Sequence, residues 1–277
     1  MSIHVRAPAT SANLGAGFDV AAVAFDFWNE MFVDERNGAG SNGDAPDESH
    51  LGVRAFSIYA SPKEWSFRFV DRIPRERGLG SSAAVVALGL VAGALAAGKE
   101  PAADELLAAG LELEGHADNL AAALVGGVTL TWDGRIARVA DDVPAAAVAL
   151  VPPDRVNTAA ARASLPEEIR HADAVFSAVH ATLLGAALAS GDERLFSASA
   201  GDRLHEPYRA VHAPHLQAVR EDLPDGALGA TLSGSGPTVI VWAEKSRAGD
   251  VAAELHERFP QHDVLHLPVT TTGAGPA

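Results

Sequence analysis

Apolar and polar residues repeat along the chain with two periods, two for strands and 3.6 for helices. Ser2 to Ala7 alternates and predicts an edge strand. Ala7 to Val20 carries Pro8, Gly15 and Gly17, which predicts a loop. Val20 to Glu35 alternates loosely, enough for one or two strands, and Asn37 to Ser49 has the composition of an exposed loop. Leu51, Ala55, Ile58 and Tyr59 fall at helical spacing, and Trp65 to Ile73 returns to alternation. Val85 to Ala97 is apolar on every side, the pattern of a buried helix. Ala103 to Gly115, behind Pro101, predicts a second helix with proline before it and glycine at its end. Asn119 to Leu124 continues as helix, and Val128–Trp132 and Arg135–Ala140 form a hairpin around Asp133-Gly134.

Asp141 to Pro144 is the expected boundary, dividing the chain into 1–143 and 144–277. The second half predicts strands at Ala146–Val151, Ala227–Leu232, Pro237–Ala243 and Val264–Val269. Helices are expected at Pro166–Gly191, Asp192–Gly201, Arg209–Glu221 and Ser246–Phe259, then a frayed tail from Thr270 to Ala277. Mixed strands and helices in this order give an α+β protein.

Composition narrows the function classes. The hydrophobic fraction of 48% in 277 residues supplies a buried core. Cysteine is absent, so disulfides and thiolate metal sites are excluded. No signal-peptide pattern opens the chain, and no apolar run reads as long and charge-free enough to span a bilayer; a cytoplasmic protein is expected. Asp and Glu number 36 against 21 Lys and Arg, a net −15 with only Lys63, Lys99 and Lys245 as lysines. That surface disfavours nucleic acid and anionic membranes. It also predicts self-repulsion relieved by salt, as in a protein adapted to a salty cytoplasm.

Candidate chemistry centres on Pro74-Arg75-Glu76-Arg77-Gly78-Leu79-Gly80-Ser81-Ser82-Ala83-Ala84, which leads from strand into helix. A glycine-serine turn at a helix start offers free amides and the positive dipole end to an anion. Ser81 and Ser82 add hydroxyls able to reach phosphate or a hard cation. The spacing is neither a P-loop nor a dinucleotide fingerprint. Alone, such a turn more often only opens a helix. Thr10, Ser11, Asn13 and Asp19 crowd the first loop, where a solvated turn is the ordinary reading. Glu112 and Glu114 precede Gly115, followed by His116, Asp118 and Asn119. In the second half Arg162 and Arg209 stand among acids, and Leu232 to Thr238 is a glycine-serine turn between strands. His212 and His215 lack an obvious third ligand, so no zinc site is expected.

The segment from Pro74 to Ala84 resembles the ATP-binding loop of the GHMP kinases, a family that includes galactokinases, homoserine kinases and mevalonate kinases. Glu76 departs from it, since members carry a small residue there, and its side chain is expected to point outward. Ser11-Ala12-Asn13-Leu14-Gly15-Ala16-Gly17-Phe18-Asp19 is similar to the N-terminal motif of the homoserine kinase branch. Six motifs follow one another in family order over nearly the whole chain. The resemblance implies a two-domain fold: an N-terminal domain like ribosomal protein S5 domain 2 and a ferredoxin-like C-terminal domain. It implies ATP and Mg²⁺, with Ser82 and Glu112 or Glu114 on the metal and Glu112 preferred. Asn13, Asp19, Asn119, Arg162 and Arg209 would hold the acceptor, with Asp19 at an ammonium and the arginines at a carboxylate. Asp118 sits where mevalonate kinases place a base. The Leu232 to Thr238 turn would close the site. The implied partners are small molecules, L-homoserine and ATP, and a homodimer is left open. The alternatives are a kinase of another small alcohol, mevalonate or shikimate, or a non-catalytic nucleotide-binding module.

Overall fold

The computed structural model describes residues 1–36 and 47–277; most of the loop expected at Asn37 to Ser49 lies outside the described residues. Strands β1 (Ser2–Asn13) and β2 (Gly17–Glu35) form one long antiparallel hairpin. The loop expected over Ala7 to Val20 is therefore mostly strand, and only residues 14–16 turn. Pro8 fits because the pairing slips register between Pro8 and Ala9, the kind of position where a strand tolerates proline.

Helix α1 (Leu51–Phe56) and a 3₁₀ turn lead to β3 (Trp65–Val70), then α2 (Ser81–Ala96), α3 (Ala103–Glu114) and α4 (Ala117–Val125). The hairpin β4 (Val128–Trp132) and β5 (Arg135–Ala140) completes this half. α2 is apolar all round because α1, α3, α4 and the sheet enclose it. Val5, Ala7, Val23 and Phe25 of the sheet share one core with Val86, Leu90 and Leu120.

The second half contains β6 (Ala146–Val151), α5 (Thr158–Ala163), α6 (His171–Ser190), α7 (Glu193–Ala198), α8 (Glu206–Arg209) and α9 (Pro214–Glu221). It ends with β7 (Ala227–Leu232), β8 (Val239–Ala243), α10 (Ala248–Arg258), β9 (Asp263–His266) and β10 (Gly275–Pro276). A single helix was expected over Arg209 to Glu221. Pro214 lacks the amide that would continue it, so α8 runs into a 3₁₀ turn and α9 restarts at Pro214. The four-stranded sheet has the order β7-β8-β6-β9 and is antiparallel throughout, the split βαβ arrangement of ferredoxin-like domains.

Two further expectations fail. The tail is not frayed: β10 pairs with Val5 and Arg6 of β1 in the first, six-stranded sheet, β10-β1-β2-β4-β5 with β3 on β2. The Ala274 amide bonds the Ala123 carbonyl at 2.7 Å, and Ala277 reaches His4 at 3.1 Å. An unpaired edge of β1 gives the tail backbone partners that composition cannot reveal. Second, α6, 20 residues long, is by length and composition apolar enough to cross a membrane, with a mean hydropathy of 1.5 over an 18-residue window. Alanines build that average without forming a conspicuous leucine-rich run. Ser177, Leu184, Ala187 and Leu188 are buried, whereas Val175 and Val179 are half exposed.

Candidate active site

The loop between β3 and α2 is held by its carbonyls. Glu76 accepts from the Val156 amide at 2.9 Å, Arg77 from the Thr238 amide at 3.2 Å and Leu79 from the Thr10 amide at 3.2 Å. The Gly78 carbonyl accepts from Ser233 Oγ at 2.6 Å. Four consecutive carbonyls are thus engaged by surrounding strands and loops, which turns the loop's amides toward the cleft. A side chain at Gly78 would stand 2.3 Å from the Ser233 carbonyl, and at Gly80 1.9 Å from Thr10 Oγ1. Both glycines have positive φ, +81° and +66°. Within α2 the Ala84 amide bonds Gly80 at 2.9 Å, so the amides before it are left to an occupant.

A cleft of about 130 Å³ opens above this loop, lined by Glu76, Arg77, Gly78, Gly80, Ser81 and Ser82 on one side. Not all of the expected loop faces it: the side chains of Leu79, Ala83 and Ala84 are in the core, and Pro74 is not at the cleft wall. Glu76 is exposed as expected and lies 3.8 Å from Arg155. A second cavity of about 450 Å³ adjoins Ser82 and is bounded by His50, Leu51, Arg75, Val85 and Arg155.

Ser82 Oγ donates to Glu114 Oε2 at 2.6 Å. Burial raises the Glu114 pKa from 4.5 to about 7, against the lowering effect of the Ser82 bond. Glu112 does not join this pair. It sits two residues earlier, roughly 200° around the helix, and is exposed. A hydroxyl and one carboxylate are hard oxygen donors that suit Mg²⁺, which takes few protein ligands when phosphates supply the rest. Among the described residues no group of three or more His, Asp or Glu is placed to hold a metal.

Asp118 opens α4 and is 4% exposed. Burial raises its pKa, offset by its bond from the Asn119 amide, with Asp19 adding to the rise. Asn119 accepts from Thr10 Oγ1 at 2.7 Å. Asn13 donates to the Gly234 carbonyl at 2.9 Å and accepts from the Asp19 amide at 3.1 Å, fixing a backbone with φ +58° at Asp19. Asp19 then meets Arg162 of α5 in a two-pronged ion pair, 2.7 and 2.6 Å. Arg209 is 3% exposed, donates to Gly234 at 3.1 Å, and leaves its Nε without a partner. The structure thus brings Asn13, Asp19, Asn119, Asp118, Glu114 and Arg209 to one cleft with the phosphate loop.

Two further residues line the cleft without having been assigned a role from sequence, and two buried histidines lie outside its lining. His116 and Thr158 line it, and Thr158 Oγ1 is 3.3 Å from Ser235 Oγ. His205 lies beneath the turn that leads into Asp19; its place four residues before Arg209 on one helical face was the available signal. His215 is buried, with Nε2 2.9 Å from the Pro237 carbonyl.

Family models for the GHMP kinase N-terminal domain and the GHMP kinase C-terminal domain match residues 51–127 and 184–261. A homoserine kinase of Streptomyces avermitilis is 39% identical over 271 residues, covering 91% of this chain and 88% of that protein. One of Gloeobacter violaceus is 38% identical, with 92% of each chain covered. The crystal structure of a homoserine kinase from Cytophaga hutchinsonii superposes with a TM-score of 0.86 at 28% identity, over all of this chain and 97% of that one. A mevalonate kinase at 14% identity and a TM-score of 0.70 shares the fold. With an amide-lined loop at a helix start and these matches over both halves, the chain belongs to the GHMP kinase family.

Proposed function

We propose that the protein is a homoserine kinase, transferring the γ-phosphoryl group of ATP to the side-chain hydroxyl of L-homoserine. One observation carries the reading: Asp19 and Arg209 line one cleft with the phosphate loop, and Arg162, outside that lining, is paired to Asp19. An acid and two arginines match the ammonium and carboxylate of an amino acid. Mevalonate and shikimate offer a carboxylate but no ammonium, so Asp19 speaks against them. A non-catalytic module is disfavoured by the retained Ser82 and Glu114.

The triphosphate lies along the amides of residues 76–82 and the start of α2, and the nucleoside in the cavity between His50 and Arg155. Ser82 and Glu114 hold Mg²⁺, which when bound neutralises phosphate charge. Asn13, Asn119, Asp19, Arg162 and Arg209 orient the amino acid so that its hydroxyl oxygen stands in line with the γ-phosphorus. The new O–P bond forms as the bond from the β,γ-bridging oxygen breaks, and ADP leaves with that electron pair. Asp118, buried and with its pKa raised, takes the hydroxyl proton. Because the transition state is loose, alignment and charge do most of the work.

The division into 1–143 and 144–277 belongs to this reading, with the cleft between the halves and the last residues returning to the first sheet. So do a cytoplasmic location, where ATP is supplied, and a homodimer. The exposed Val175 and Val179 of α6 offer an apolar patch on which two copies of a −15 chain could meet.

A coupled ADP-release assay in molar KCl tests the reading across homoserine, mevalonate, shikimate and galactose. Turnover with homoserine alone is expected; preference for another alcohol overturns it.

A further inference from the structure

One buried ring touches both the turn that leads into Asp19 and the guanidinium of Arg209. His205 is fully buried just before α8. Its Nε2 lies 3.1 Å from the Gly15 carbonyl oxygen and its Nδ1 3.4 Å from Arg209 Nη1. The ring stacks on Phe18 with centroids 4.8 Å apart and planes inclined by 16°. Phe18 immediately precedes Asp19, and the Cζ atoms of Arg162 and Arg209 each lie 5.2 Å from its ring centre.

The neighbours fix where the proton sits. A carbonyl oxygen only accepts, and a guanidinium only donates. The ring must carry hydrogen on Nε2, toward Gly15, and a lone pair on Nδ1, toward Arg209. The charged groups around it agree. Asp202, 3.7 Å from Nε2, is already engaged by the amides of Leu204, His205 and Glu206. Glu206 is engaged by the Leu232 amide and Arg220. A second proton on the ring would face Arg209 directly. Burial also lowers the His205 pKa, which keeps the ring neutral.

We propose that His205, as the neutral Nε2–H tautomer, is a positioning residue that sets the 14–16 turn leading into Asp19 and the Arg209 guanidinium relative to each other through opposite edges of one ring. The proposal rests on reading the cleft as a homoserine site. Its ring reaches the acceptor-binding groups and none of the phosphate-loop residues, so its loss should be felt by one substrate and not the other.

Three variants and one spectrum test it. His205→Phe keeps the shape and the stack but loses both polar edges. It should raise the KM for homoserine about ten-fold or more, the size of one lost hydrogen bond to a charged group, with the KM for ATP within about two-fold. His205→Asn restores an acceptor near Arg209 and His205→Gln a donor near Gly15, and at least one should recover part of the loss. Nitrogen-15 NMR of the wild-type protein at pH 7 should find Nδ1 unprotonated, a readout needing no variant to fold. A wild-type protein inert toward homoserine overturns the reading of the cleft. An active wild type whose His205→Phe variant keeps its homoserine KM, or loses ATP affinity equally, overturns the positioning role alone. So does a ring protonated on Nδ1, or Asn and Gln variants both as impaired as Phe.

Discussion

Asp19, which lines the cleft, and Arg162, 143 positions away, close on each other as a two-pronged ion pair at 2.7 and 2.6 Å. Each therefore already has the kind of partner that the proposed substrate would bring. A ligand with both an ammonium and a carboxylate can part them and leave neither charge bare. A ligand with one charge cannot, and stranding the other is costly.

Arg162→Ala and Arg209→Ala should each lose about 2–3 kcal/mol of homoserine recognition, roughly thirty- to over a hundred-fold in kcat/KM. Nucleotide affinity should survive in both. Arg162 is 44% exposed in its pair, so its removal should barely move the melting temperature. Steady-state kinetics and a fluorescent-nucleotide titration check this; unchanged kcat/KM in both variants removes the substrate assignment.

Glu114 and Glu112 should behave differently. Glu114→Gln should weaken Mg²⁺-dependent nucleotide binding, whereas Glu112→Gln should leave it alone. Equal effects would contradict the pairing of Ser82 with Glu114.

The raised pKa of Glu114 sets a pH dependence. Between its ordinary 4.5 and about 7 the folded protein holds more proton there than the unfolded chain does. Stability from this group therefore falls as pH rises through that window and levels off above about 7. Mg²⁺ needs the ionised carboxylate, so its binding displaces the proton. The rise in melting temperature on adding Mg²⁺ and ADP should be larger at pH 8 than at pH 6; a pH-independent rise would count against Glu114 as a ligand.

Asp118→Asn keeps the size of the side chain and removes its ability to take a proton. Loss of kcat with both KM values retained is expected, by a factor of about 10² or more if it acts as a general base. A variant with nearly full kcat would leave alignment alone as the source of catalysis.

Net charge gives a prediction independent of the site. At −15 the folded surface repels itself, and molar salt shortens the screening length to about 3 Å. Thermal melts should rise steadily through a KCl series up to molar concentrations; equal melting temperature without salt would argue against salt adaptation.

Local pattern and motif chemistry determined a great deal by themselves. The all-round apolar run of α2, the proline and glycine bracketing α3 and the Asp133-Gly134 hairpin are short-range effects, and they read correctly. So did the place of the loop from Gly78 to Ser82, which leads from strand into helix with Gly78 and Gly80 at positive φ. Tertiary structure decided what depends on partners far away in sequence. Glu114 rather than Glu112 meets Ser82 because of the rotation of one helix against another. The tail became a strand because β1 had an open edge, and the polar stretch around Pro8 became a strand because β2 paired with it through a register slip. Spacing could set His205 near Arg209, but its contact with Gly15, 194 positions before Arg209, exists only in the folded chain. Periodicity reports the forces acting within a turn or a strand; which side chains meet across the cleft follows from packing the whole core.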